Sequence, residues 1–229
     1  MLRGADISNW QGGKVRPATV GLDFYICKAT EGLTYVDPCC DPVVQECIEH
    51  DKLWGFYHFA RNNDAHAEAE FFHKHCSNYF GHGIPVLDWE DGQSVGWVNE
   101  FVRAIHDMTV VWPWIYGNPW RFEQGDVEPN CGRWAAHYFS DNIRTFAQAE
   151  AHERPKVNGL MCAWQFTSSG RLNGYSGNLD LNLFFGDEDA WHRYAAGDSA
   201  GDSGIGDDSS LGVSTLENES YKVIIERKK

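Results

Sequence analysis

Positive charge is scarce in this chain. Against 33 Asp and Glu stand 19 Lys and Arg, a formal net charge of −14 with His neutral. A nucleic-acid binder draws much of its affinity from a basic surface that displaces counterions, so this balance argues against that class. It argues equally against adhesion by charge to anionic membranes. Long apolar runs are missing too. No stretch approaches the ~20 residues that cross a bilayer, so no membrane insertion is expected. The opening MLRGADISNWQG has no basic-then-apolar leader pattern. Synthesis in the cytoplasm is therefore expected, with release by another route before any work outside the cell. Paired cysteine spacing is also lacking. Cys27, Cys39, Cys40, Cys47, Cys76, Cys131 and Cys162 are odd in number, irregular and free of any CxxC. Free thiols made in a reducing compartment are expected. Ten His accompany them at no spacing that supports zinc, and neither metal nor cofactor is expected.

Aromatic side chains, by contrast, are plentiful: 14% of the chain, with ten Trp. They either fill a core or line a groove for a flat ligand, and the C–H faces of sugars stack well on such rings.

Eight β-rich runs recur along the chain, at 4–8, 23–30, 53–60, 84–90, 113–117, 133–139, 160–167 and 179–185. Several are near-continuously apolar, as for strands buried on both faces. Helix signals lie between them. Asp41-Pro42 places a capping carboxylate before a proline at the first helical position, and Val43, Val44, Cys47 and Ile48 then share a face. Asp64 caps a second helix with Ala67, Phe71 and Phe72 as its apolar face. A third runs from about Val95 to Met108 on Val98, Phe101, Val102 and Ile105. The Pro- and Gly-bearing segment 118–132 is expected to be loop or a single turn. Alternating strands and helices favour a closed parallel barrel over an open sheet, with some helices missing. It would occupy 1–191. Residues 192–212 are nearly all Gly, Asp and Ser after the first few and read as a flexible acidic linker. Residues 213–229 form a short segment, the possible start of a truncated wall-binding module, with one possible strand at Tyr221–Glu226.

The fourth run ends IPVLDWED (84–91). On a strand Asp88 and Glu90 share a face, and at the carboxyl end of a barrel strand that face points into the mouth. Two adjacent carboxyls repel, so one holds its proton more firmly and is able to act as an acid. The pair alone is a weak signal, more readily read as a solvated strand end. Two further strands bring acids: Asp6, and Asp180 with Asn182 two residues on. With Trp10, Tyr57, Trp89, Tyr116, Tyr138, Trp164 and Gln165 nearby, the set has the character of a sugar cleft. Tyr57 is favoured for the mouth over His58. The phase of Trp164 against Gln165 stays open. Lys28 and Glu31 are expected to pair, and Asp91 to be a solvated bystander.

Six motifs stand in order: GADISNWQG, KATEG (28–32), GFYHFA (55–60), PVLDWED, WIYGN (114–118) and AWQFTSSGRLNGYSGNLDLNLFFG (163–186). Together, over about 1–187, they resemble glycoside hydrolase family 25, the Chalaropsis-type lysozymes, which are N-acetylmuramidases. The resemblance implies an α/β fold, an irregular flattened (β/α) barrel with eight strands and fewer than eight helices, similar to a TIM barrel. It implies cleavage of the β-1,4 bond from N-acetylmuramic acid to N-acetylglucosamine in peptidoglycan. By motif the acids are Asp6, Asp88, Glu90 and Asp180, with Glu90 as general acid. Asp88 and Asp180 would stabilise charge or orient the 2-acetamido group, and a direct carboxylate nucleophile or an inverting water stays open. Members of this type often serve phages as endolysins, which implies a monomer acting on the wall after holin-assisted release. Two other readings compete: a metal-dependent hydrolase using the same acids, and a wall-binding protein without turnover.

Overall fold

Which end of each strand meets water decides where chemistry sits in this molecule. The computed structural model describes residues 1–11 and 13–197. Nine strands form its sheet: β1 Leu2–Ile7, β2 Phe24–Glu31, β3 Tyr35–Val36, β4 Leu53–Phe59, β5 Ile84–Asp88, β6 Trp114–Gly117, β7 Arg133–Ala136, β8 Met161–Leu172 and β9 Tyr175–Phe184. Their order is β1-β9-β8-β7-β6-β5-β4-β2, and a further β1–β2 pairing closes the ring. The eight expected runs are the eight barrel strands. The two-residue β3 adds to β2 from outside, pairing Glu31 with Tyr35.

The barrel is not wholly parallel, which corrects one expectation. β9 runs antiparallel to both β8 and β1. Only two residues separate Leu172 from Tyr175, a link that a parallel crossover cannot span and a hairpin can. Gly174 takes φ of +94° there, a left-handed conformation that suits glycine.

Among the described residues five helices accompany the strands: α1 Cys40–Glu49, α2 Ala65–Cys76, α3 Val95–Thr109, α4 Phe146–Ala151 and α5 Glu188–Ala196. Asp64 caps α2 as expected, its side chain accepting from Ala67 N at 2.9 Å. The buried face of α2 is Ala65, Glu68, Ala69, Phe72 and Cys76, so Phe72 packs inward while Ala67 and Phe71 flank it. α1 begins one residue before Asp41, capped at Cys39 with no side-chain bond. Asp41 thus lies in the first turn instead of capping it. Segment 118–132 holds one 3-10 turn, Pro119–Glu123.

Alternation sorts the strand residues into two cores. Outward Tyr25, Cys27, Phe56, Leu87, Trp89, Ile115, Trp164 and Phe166 pack under the helices. Inward Phe24, Ile26, Ile84, Val86, Trp114, Tyr116, Trp134 and Phe184 fill the barrel. Trp191 of α5 closes the barrel's floor, its ring 4.7 Å from Phe24, 5.3 Å from Phe184 and 5.5 Å from Trp114. Those partners lie at the start of β2, the end of the antiparallel β9 and the start of β6. The plug therefore sits at the amino ends of the parallel strands and leaves their carboxyl ends open. Tyr194 and Ala195 join the same cluster. α5 carries the chain to Ala196, so the first residues of the expected linker are helical. Residues 198–212 of that linker, the segment 213–229 and its strand lie outside the described residues.

All seven cysteines are free, and all but Cys39 are buried. Replacing Trp191 by Ala removes the floor plug and is expected to destabilise the domain by about 3–5 kcal/mol, as large aromatic truncations in cores do. Urea unfolding of the two proteins measures it, and a change within ~1 kcal/mol would place the floor's stability elsewhere.

Candidate active site

Opposite the plug, at the carboxyl ends of the parallel strands, lies a cavity of about 330 Å³. Asp6, Asp88, Glu90 and Asp180 all line it. β1 and β5 deliver Asp6 and Asp88 at their carboxyl ends. Asp180 reaches the same rim from the other direction, because the antiparallel register places it directly opposite Asp6. The β5 ladder stops at Asp88, paired with Tyr116. Glu90 stands beyond the strand, exposed at the mouth, where the sequence suggested a strand residue.

A buried polar floor holds Asp6. Its Oδ2 accepts from Gln165 Nε2 and from Asn182 Nδ2, both at 2.8 Å. Gln165 Oε1 in turn accepts from Tyr116 OH at 2.9 Å and from Tyr138 OH. Asn182 Oδ1 accepts from Trp134 Nε1 at 2.9 Å. Each amide has its oxygen occupied by a donor, so its NH2 is turned to the carboxylate. Asn182 is wholly buried beneath the cavity. It orients Asp6 and does not line the space as the sequence reading had it.

Burial, then the neighbouring Asp180 charge, pushes the Asp6 carboxyl well above its usual range, and the two amide bonds only partly offset this. Burial followed by Glu90 and Asp6 does the same to Asp88, with Lys28 opposing. Asp88 Oδ1 is buried with no hydrogen-bond partner among the described residues. Asp180 is pushed up to about 6 by burial and by Glu90. Asp6, Asp88 and Asp180 are thus all pushed towards the protonated form within one partly dry mouth.

The aromatic expectations divide. Tyr57, Tyr116, Tyr138 and Trp10 line the cavity, and Trp10 is 88% exposed at its lip. Burial, then Asp88, raises Tyr57, and burial, then Asp6, raises Tyr116, so both phenols stay neutral donors. Trp89 and Trp164 do not line it. Both are fully buried in the outer core, donating to Gln93 O at 2.9 Å and to His137 O at 2.8 Å. Their strands put them on the face opposite Asp88 and Gln165, and that is the physical reason for the correction. His58 likewise faces outward, between Thr30 Oγ1 and Glu68 Oε2 at 2.8 Å each. Lys28 pairs with Glu31 and lies 4.6 Å over the Phe59 ring. Asp91 is half-exposed, 3.9 Å from Arg61. Ser8, Gln11, Lys28, Phe59 and Trp134 also line the cavity, and sequence reasoning named none of them for it. Trp134 carried a signal: in the run 133–139 it shares a strand face with Tyr138, which the sequence placed in the cleft.

Carboxyls gathered at the open end of a barrel, beside rings that stack on sugars, are the equipment of glycosidic bond cleavage. Residues 5–175 match the family described as Glycosyl hydrolases family 25, and the chain belongs to that family. The autolytic lysozyme of Clostridium acetobutylicum is 28% identical over 192 residues, covering 80% of this chain and 56% of that protein. Lysozyme M1 of Streptomyces globisporus is 26% identical, covering 81% and 68%. The chain therefore spans little more than half of the Clostridium protein's length. Among solved structures, the muramidase from Acremonium alcalophilum superposes with a TM-score of 0.64 at 25% identity, covering 86% of this chain and all of that one.

The raised Asp180 carboxyl has a consequence for stability. A carboxyl whose folded pKa lies above its unfolded value of 3.8 contributes fully below that value, and the contribution is lost as pH rises through about 6. Asp180→Asn removes the ionisation. It is expected to raise Tm at pH 7, with the gain shrinking to nothing near pH 4. Melting curves at both pH values check this, and an equal gain at pH 4 would assign it to packing.

Proposed function

We propose that this chain hydrolyses peptidoglycan, cleaving the β-1,4 bond from N-acetylmuramic acid to N-acetylglucosamine, with Glu90 as proton donor. The observation that carries the reading is the convergence of Asp6, Asp88, Glu90 and Asp180 on one cavity beside Trp10, Tyr57, Tyr116 and Tyr138. Relatives named as lysozymes and a fold neighbour named as a muramidase support the choice of glycan. The seven free thiols suit synthesis in a reducing compartment, with action on the wall after release.

Glycoside cleavage passes through an oxocarbenium-like state, so a proton must reach the leaving oxygen and negative charge must face the sugar ring. Solvent access separates Asp88 from Glu90: Asp88 is buried, and a donor has to give up its proton to the leaving oxygen and be recharged from solvent. Glu90 stands at the mouth, in contact with solvent and within the field of Asp88 and Asp180. Asp180 then faces the ring carbon to stabilise its charge, and Asp88, in its protonated form, orients the 2-acetamido group towards it. Asp6, fixed by Gln165 and Asn182, keeps the acids apart and the floor rigid. Bare rings above that floor supply the stacking surface.

Glu90→Gln is expected to lower turnover on purified walls by about 10²–10⁴, the usual contribution of a general acid, with the melting temperature unchanged. Release of reducing ends is the readout, and wild-type turnover in the variant would sink the assignment. Mass spectrometry of the digest places the cut: muramic acid at the new reducing ends supports the stated bond, and N-acetylglucosamine there contradicts it. Turnover that persists in a chelator separates this chemistry from a cation-dependent hydrolase.

A further inference from the structure

Glu90 sits on backbone that has left the sheet. The last β5 pairing is Asp88 with Tyr116, and the last bond along that edge is Trp89 N–H to Tyr116 O at 2.9 Å. Beyond it, the peptide units of Glu90 and Asp91 are gripped by one side chain. Arg121 donates from Nη2 to Glu90 O and from Nη1 to Asp91 O, the latter at 2.9 Å. Two parallel donors on consecutive carbonyls restrain the intervening peptide plane, and with it the direction of the Glu90 side chain.

Arg121 is itself held. It lies in the 3-10 turn Pro119–Glu123, whose start is fixed by Asn118 Oδ1 accepting from Trp120 N. Next to it Phe122 is fully buried, edge-on to Trp89 at 6.3 Å. The guanidinium lies 5.3 Å from the Trp89 ring centre and 5.1 Å from that of Trp120. Burial works against its charge, and Glu90, Asp91 and Asp88 work for it. The β6–β7 connection thus reaches across to the loop after β5 and closes on the one cavity acid that no strand positions.

We propose that Arg121 is a positioning residue for the reaction: its guanidinium fork aims Glu90 into the cavity, and the rings of Trp89 and Trp120 hold the fork in place. This rests on the reading of Glu90 as proton donor. Planarity matters here as much as charge. A lysine at this position keeps the cation but cannot bridge two carbonyls in one plane.

The test compares Arg121→Lys, Glu90→Gln and the double variant in the full chain, measuring kcat, KM and Tm on purified walls. Arg121→Lys is expected to lose about 10- to 100-fold in kcat, the scale of a small misplacement of a reacting group. KM should hold within about twofold, since the stacking surface is untouched. In the Glu90→Gln background the Arg121→Lys change should add nothing to the loss, because a group that acts through Glu90 has nothing left to aim. Wild-type kcat in Arg121→Lys beside an inactive Glu90→Gln overturns the proposal and leaves the function standing. An equal fold-loss in both backgrounds also overturns it, because Arg121 then acts independently of Glu90. Should Arg121→Lys also lower Tm, the double variant still decides. Normal turnover in Glu90→Gln removes the functional reading and this proposal together.

Discussion

Like charges brought out of water are the constraint around which this structure is arranged. Asp6 and Asp180 face each other across adjacent strands, and Asp88 and Glu90 stand on the same mouth. Such a group is unfavourable for folding and is tolerated only where the surroundings over-determine it. Here the surroundings are a closed ring of strands. Gln165, Asn182, Tyr116, Tyr138 and Trp134 form one connected set of bonds beneath Asp6. A barrel supplies this better than an open sheet, because every strand has two neighbours and no carboxyl-bearing edge is free to relax outward.

The two cores divide the work. The inner one, sealed by Trp191 at one end, is dry and aromatic. It gives the acids a low-dielectric base from which burial raises Asp88 and Asp6. The outer one ties helices to strands and holds most of the buried apolar residues. Polar groups enter it in paired form, as with His58 between Thr30 and Glu68. Loops then refine what the strands begin. Three acids come from strands, and the fourth, Glu90, depends on a side chain contributed by another connection.

Much of this was legible in the sequence. All eight barrel strands announced themselves as β-rich runs, several of them near-continuously apolar, and the acids stood out because three of those runs carry carboxylates towards one end of one barrel. Phase was harder. Alternation tells which residues share a face, and it names the inward face only if one face is polar. Strands buried on both sides remove that reference, so Trp89 and Trp164 looked as eligible for the cavity as Tyr57 and Gln165. Direction was missed for a different reason. The Asn173-Gly174 pair between two apolar segments is a hairpin signal, and the alternation of strands and helices upstream outweighed it. The grip of Arg121 on Glu90 left no trace at all, since it joins residues about thirty positions apart through a guanidinium and main-chain carbonyls.

The pairing of β1 with β9 also has a consequence for the timing of assembly. Asp6 is held by Asn182, 176 residues later, and the floor is plugged later still by Trp191. A chain emerging from the ribosome carries its first acid almost from the start. It lacks that acid's partners until nearly the whole domain has been made. Contacts so distant in sequence form late and with slow closure. Partial products of synthesis therefore hold no assembled mouth, and whatever the finished site does to a glycan begins only when the last strand has joined the first.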